Sequence, residues 1–81
     1  MSKKLYLKYG KTLIKEGDTE NKSAYIIERG EVGIFKGGKH ICDLGENSIV
    51  GELALITGEP RSATVKSNSD DCMVKEITLN D

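Results

Sequence analysis

Gly51-Glu-Leu-Ala-Leu-Ile-Thr-Gly-Glu-Pro-Arg-Ser-Ala-Thr-Val65 interrupts a chain that is otherwise a succession of short β-like runs. Glu52 to Ile56 is the one segment compatible with a helical turn. Gly58 and Pro60 then drive the backbone out of helix, because proline fixes its own φ and pushes the preceding residue towards extended conformations. Arg61 and Ser62 follow, and Ala63-Thr-Val65 leads into a strand. The helical turn is therefore an insertion between strands rather than a building block of the fold.

Outward from this segment, glycine and Asn/Asp clusters punctuate every apolar run. Leu5–Tyr9 ends at Gly10, Thr12–Lys15 at Glu16-Gly-Asp18, and Tyr25–Glu28 at Arg29-Gly30. Glu31–Lys36 ends at Gly37-Gly38, His40–Leu44 at Gly45, and Ala63–Lys66 at Asn68-Ser-Asp-Asp71. Cys72–Leu79 closes the series. Short strands separated by regular turn signals predict an all-β sandwich or barrel. Gly37-Gly38 reads as a two-residue hairpin turn, which needs positive φ at both positions, and Gly30 as a second positive-φ turn. Closing the edges into a double sheet is a common solution for so small an antiparallel chain. The expected fold is a double-sheet jelly-roll β-barrel with one short helical turn.

Bulk composition bounds the function. With 81 residues the chain is read as a single domain, 1–81. A net charge of −1 offers no electrostatic footprint for nucleic acid or an anionic membrane. No apolar run approaches the ~20 residues of a membrane span, and the Lys-containing start has no apolar segment of a signal peptide. Cys42 and Cys72 read as two half-buried thiols of a cytoplasmic protein, too few for a disulfide framework. His40 is the one histidine and is expected on a strand facing solvent. One histidine supports neither a metal-dependent jelly-roll enzyme nor a Ser/His/Asp or Cys/His set, so no enzymatic activity, metal or catalytic cofactor is expected.

The opening segment carries the chemistry. Gly51 lets a ligand approach its backbone. A turn starting at Glu52 aims the N–H groups of Leu53 and Ala54 outward as an anion nest, while Leu53, Leu55 and Ile56 are expected to anchor the turn inward. Arg61 offers a planar fork suited to a phosphate. The Ser62 hydroxyl adds a donor, and the Ser62 and Ala63 backbone lies alongside. Glu52 would repel a phosphate, so its presence points to a ligand that also carries a sugar hydroxyl. Without ligand, Glu52 and Arg61 could pair with each other. The pocket is thus one for a small, anionic, hydroxylated molecule.

Gly51–Val65 resembles the phosphate-binding cassette of cyclic nucleotide-binding domains, found in kinase regulatory subunits, gated channels and catabolite-activator-type regulators. Glu16-Gly-Asp18, Tyr25-Ile-Ile-Glu-Arg-Gly-Glu-Val32 and Leu44-Gly45 resemble the family's preceding motifs, so the likeness covers roughly residues 8 to 79. It implies a regulatory module binding cAMP or cGMP. Glu52 would accept the ribose 2′-hydroxyl and Arg61 would neutralise the cyclic phosphate. N–H groups near Leu53, Ala54 and Ala63 would complete the cradle, with the Gly51 backbone against the ribose. Ser62 occupies a position where the family varies and fits either base. The flanking lid helices of the family are absent from the sequence, and Asn80-Asp81 looks like the cap of one. This implies a fragment or minimal barrel, with output through an effector domain or partner protein. The alternative is a jelly-roll interaction domain that has lost nucleotide binding.

Overall fold

The structure, a computed structural model, describes residues 3–79. Asn80 and Asp81, read above as a helix cap, lie outside those residues. In chain order the strands are β1 (Lys3–Leu7), β2 (Thr12–Ile14), β3 (Ala24–Arg29), β4 (Val32–Lys36), β5 (Lys39–Leu44), β6 (Ile49–Val50), β7 (Thr64–Ser67) and β8 (Cys72–Ile77). A single helical turn, α1 (Glu52–Thr57), stands between β6 and β7.

The strands pair as one nested hairpin. β4 pairs with β5 at the tip, then β3 with β6, β2 with β7 and β1 with β8, all antiparallel. The ribbon rolls so that β3 also meets β8 and β4 also meets β7. Two four-stranded sheets result, ordered β1-β8-β3-β6 and β2-β7-β4-β5. This is the expected jelly roll, built as two facing layers without a continuous hydrogen-bonded ring. The tip is the Gly37-Gly38 turn, with φ of 60° and 80° between the paired Lys36 and Lys39, the backbone hand that matches strand twist.

Alternation along the strands supplies the core. Tyr25 and Ile27 of β3, Val32 of β4, Val65 of β7 and Cys72 and Val74 of β8 meet between the layers, with Ile27, Val32, Cys72 and Val74 fully buried. Each large apolar side chain buried there contributes about 1.5–3 kcal/mol. The first strand differs from expectation. It ends at Leu7, its last buried residue, and Tyr9 sits in a turn closed by the Lys11 N–H on the Lys8 carbonyl. The two-residue β6 was not anticipated. Asn47, at φ 74°, turns the chain so that Ile49 and Val50 can pair with Ile26 and Tyr25.

The nested pairing fixes what faces what. The β2–β3 connection and the β6–β7 connection both interrupt the ribbon at the same level, so they lie beside each other despite being about forty positions apart. That adjacency builds the site.

Gly30 tests the turn geometry. Its φ is +82°, and a Cβ there would lie 2.5 Å from Ser69 Oγ and 3.0 Å from the Asp71 carbonyl oxygen. Gly37, at +60°, has open space around it. Gly30→Ala is expected to cost roughly 2–4 kcal/mol from strain plus overpacking, and Gly37→Ala only about 1 kcal/mol from strain. Urea unfolding midpoints read the difference, and equal losses would contradict it.

Candidate functional site

A cavity of about 370 Å³ opens against α1 and the segment that follows it, within the usual range of small-molecule sites. Gly51, Glu52, Leu53, Ala54, Arg61, Ser62 and Ala63 all line it. Its apolar floor comes chiefly from the β2-β7-β4-β5 sheet, through Ile14, Ile34, Leu44 and Val65, with Ile49 and Val50 of β6 contributing from the other.

Arg61 is the least expected member in its setting. It is only 5% exposed. Its Nη1 donates to the Gly51 carbonyl at 2.9 Å, and its Nη2 donates to Asn21 Oδ1 at 2.9 Å and to the Ser23 carbonyl. All three acceptors are neutral, and Nε is buried without a partner among the described residues. Burial therefore pushes the guanidinium pKa down, with Tyr25 and Asp18 opposing the shift from a distance. The Arg61 backbone is held as firmly: its N–H bonds the Asp18 carbonyl at 2.9 Å, and its own carbonyl receives the Gly17 N–H at 2.8 Å. The β2–β3 connection is thus the socket in which Arg61 is set.

The start of α1 is fixed from the other side. Gly51 is its N-cap at φ 79°, with no side-chain cap. A Cβ on Gly51 would lie 2.7 Å from Arg61 Nη1 and 3.1 Å from the Ser23 carbonyl oxygen. Only glycine combines that φ with that proximity. The first-turn N–H groups of a helix lack intrahelical partners, so those of Leu53 and Ala54 border the cavity as donors. At the far end, Lys22 Nζ donates to the Gly58 carbonyl at 2.6 Å. Inward anchoring by Leu53 and Ile56 is corrected: they are 61% and 78% exposed. A six-residue helix presents one narrow face to the sheet, and buried Ala54 occupies it, with Leu55 half-buried.

Glu52 and Arg61 do not pair. Glu52 is exposed at the rim, with no hydrogen bond or ion pair among the described residues, while Arg61 turns towards the carbonyls beneath. Ser62 is exposed, and neither it nor Ala63 donates a backbone hydrogen bond within the described loops and turns. The rim thus offers a carboxylate, a hydroxyl and uncommitted N–H groups around a cavity whose wall holds one buried cation.

Sequence reasoning missed Asn21, Ser23 and Tyr25. Asn21 Oδ1 accepts the Ser23 N–H at 3.0 Å as well as the arginine, and its Nδ2 donates to the Tyr25 hydroxyl at 3.1 Å. An Asn two residues before Ser is a local turn signal, but nothing local marks it as an arginine acceptor.

Residues 4–81 match the family described as the cyclic nucleotide-binding domain. The chain belongs to that family. The structure is similar to the regulatory subunit of a cAMP-independent protein kinase A from Trypanosoma cruzi bound to guanosine, with TM-score 0.92 and 28% identity over 98% of this chain and 28% of that one. A triply substituted regulatory subunit from Trypanosoma brucei, bound to cAMP in its A site, gives TM-score 0.89 and 30% identity over 94% of this chain and 28% of that one. The regulatory domain of Toxoplasma gondii PKA with cAMP gives TM-score 0.85 and 30% identity over 98% and 31%. The chain spans about a third or less of the length of these structures.

The remaining residues of chemical interest divide differently than expected. Instead of two half-buried thiols, Cys72 is buried and Cys42 exposed, and Cys42 lines the cavity. His40 is exposed, as expected, with Nε2 2.7 Å from Asp43 Oδ1 and its ring tilted over Phe35. No group of three or more His, Cys, Asp or Glu among the described residues could hold a metal. No described helix is long and apolar enough to cross a membrane. Burial pushes the Cys72 thiol pKa up, which suppresses the nucleophilic thiolate. A thiol reagent such as dithionitrobenzoate should therefore modify Cys42 alone in the native protein and both cysteines after unfolding. Rapid native modification of Cys72 would overturn this assignment.

Proposed function

We propose that this chain is a regulatory sensor module that binds a cyclic nucleotide, cAMP or cGMP, without catalysing a reaction on it. The observation that carries the reading is Arg61: a buried cation in the wall of a small-molecule cavity, hydrogen-bonded among the described residues only to neutral acceptors. An uncompensated buried charge is costly, and a cyclic phosphate supplies the missing counter-charge. Arg61 would neutralise it, helped by the N–H groups of Leu53, Ala54 and Ala63 and by the Ser62 hydroxyl. The Gly51 backbone would lie against the ribose. Exposed Glu52, unpartnered among the described residues, would accept the ribose 2′-hydroxyl.

One trypanosomal relative is in keeping with an arginine at this place. The cAMP-bound T. brucei variant carries a Glu-to-Ala change and, seven residues on, Thr-to-Arg followed directly by Val-to-Ala. This chain has Ala54 and, at the same spacing, Arg61 followed by Ser62. An arginine and small neighbours at this spacing thus accompany cAMP in that protein. The module would act in the cytoplasm and transmit occupancy to an effector domain or partner protein, since an effector regulates only by binding two states differently.

Calorimetric titration tests the roles separately. Arg61→Lys keeps the charge but loses the fork, and should weaken cAMP or cGMP binding by about 10-fold or more. Glu52→Ala should remove a charge-assisted hydrogen bond of about 1.5–3 kcal/mol, or roughly 10- to 150-fold in Kd. That loss should vanish when 2′-deoxy-cAMP replaces cAMP, because the partner hydroxyl is already gone. Absence of wild-type binding at millimolar ligand would refute the reading in favour of an interaction domain. Undiminished loss with the deoxy ligand would refute the role of Glu52.

A further inference from the structure

The socket around Arg61 contains a choice that packing alone does not require. Asn21 Oδ1 accepts from Arg61 Nη2 at 2.9 Å and from the Ser23 N–H at 3.0 Å. Its Nδ2 donates to the Tyr25 hydroxyl at 3.1 Å. Tyr25 is 3% exposed and belongs to the core cluster. The amide is therefore a bridge: its oxygen accepts from the guanidinium, and both its nitrogen at 3.1 Å and its oxygen at 3.4 Å lie within hydrogen-bond reach of the Tyr25 hydroxyl on β3. An aspartate in the same place would accept both bonds on one oxygen and could accept a hydrogen bond from the Tyr25 hydroxyl on the other. It would also give Arg61 a direct counter-charge, the usual companion of a buried cation.

We propose that Asn21 is a positioning residue that fixes the Arg61 guanidinium without neutralising it, leaving the ligand's anionic group as its counter-charge. This rests on reading the cavity as a cyclic nucleotide site, but the anion part of it can be tested without a nucleotide. The amide sets affinity through two separable effects. It removes the rotational freedom the arginine would lose on binding, and it keeps the charge available. Asn21→Ala removes the first effect and keeps the second. Asn21→Asp keeps the first and removes the second. The carboxylates nearest in the described network are differently engaged: Asp18 acts on Arg61 only at a distance, and Glu76 accepts the Ser23 hydroxyl at 2.7 Å.

The experiment pairs two ligands that differ in charge. Wild type, Asn21→Ala and Asn21→Asp are titrated with cAMP and with neutral adenosine, and their thermal midpoints are followed in inorganic phosphate against chloride at matched ionic strength. For Asn21→Asp, the cAMP Kd should rise by about tenfold or more while the adenosine Kd stays unchanged, and the phosphate-dependent rise in midpoint should be lost. For Asn21→Ala, a smaller loss confined to cAMP is expected, with the phosphate response retained. Equal losses for cAMP and adenosine would mark Asn21 as merely structural and overturn the proposal, as would wild-type cAMP affinity in Asn21→Asp. If the wild type binds no cyclic nucleotide, the functional reading fails on its own, and the phosphate response decides the role of Asn21. Midpoint shifts that are equal in wild type and Asn21→Asp, including none in either, overturn it.

Discussion

The burial of one guanidinium among neutral oxygens organises this molecule's functional end. Arg61 ties the Gly51 carbonyl at the start of α1 to Asn21 and Ser23 in the β2–β3 connection. Its backbone also ties the same connection at Gly17 and Asp18. Without these bonds, two long connections would meet with little apolar surface to hold them, because the core cluster lies between the sheets. The charge is expensive to bury, and burial pushes the guanidinium pKa down. The site is thus ordered but electrostatically incomplete.

That incompleteness explains the strictness at Gly51. The residue must turn left-handed to start α1 and must leave its Cβ position empty for Arg61 Nη1. Sequence reasoning assigned Gly51 to close ligand approach. The structure adds a prior demand, since the glycine makes room for the arginine in the cavity wall. One small residue therefore serves the backbone, the cation and the cavity at once.

The legible parts of the sequence were those set by local geometry. Gly37-Gly38 and Gly30 announce their turns because positive φ is a local property. The strands announce themselves by alternation, and the insertion of α1 by Gly58 and Pro60. The Gly51–Ala63 segment could be read as one unit because its residues are contiguous, and they line one cavity together. What escaped was non-local or too short. β6 has two residues, Ile49 and Val50, too few for alternation to register. Asn21 and Ser23 reach Arg61 across 40 and 38 positions, a proximity created by the nested ribbon and invisible in either segment. Leu53 and Ile56 were expected inward because they are apolar, but so short a helix has room for only one buried side chain.

The outermost pair of the ribbon has a mechanical meaning. β1 and β8 run antiparallel in unbroken register from Lys3 opposite Glu76 to Leu7 opposite Cys72, so the strands by which the chain enters and leaves the fold form a single seam. β8 is also bonded along its other edge to β3, the strand that carries Tyr25 and so the anchor of the arginine socket. Whatever is joined to either end of the fold pulls on that seam, one strand away from the socket. Such a module can be spliced into a larger protein at a single point, with its attachment and the anchor of its arginine socket sharing one sheet.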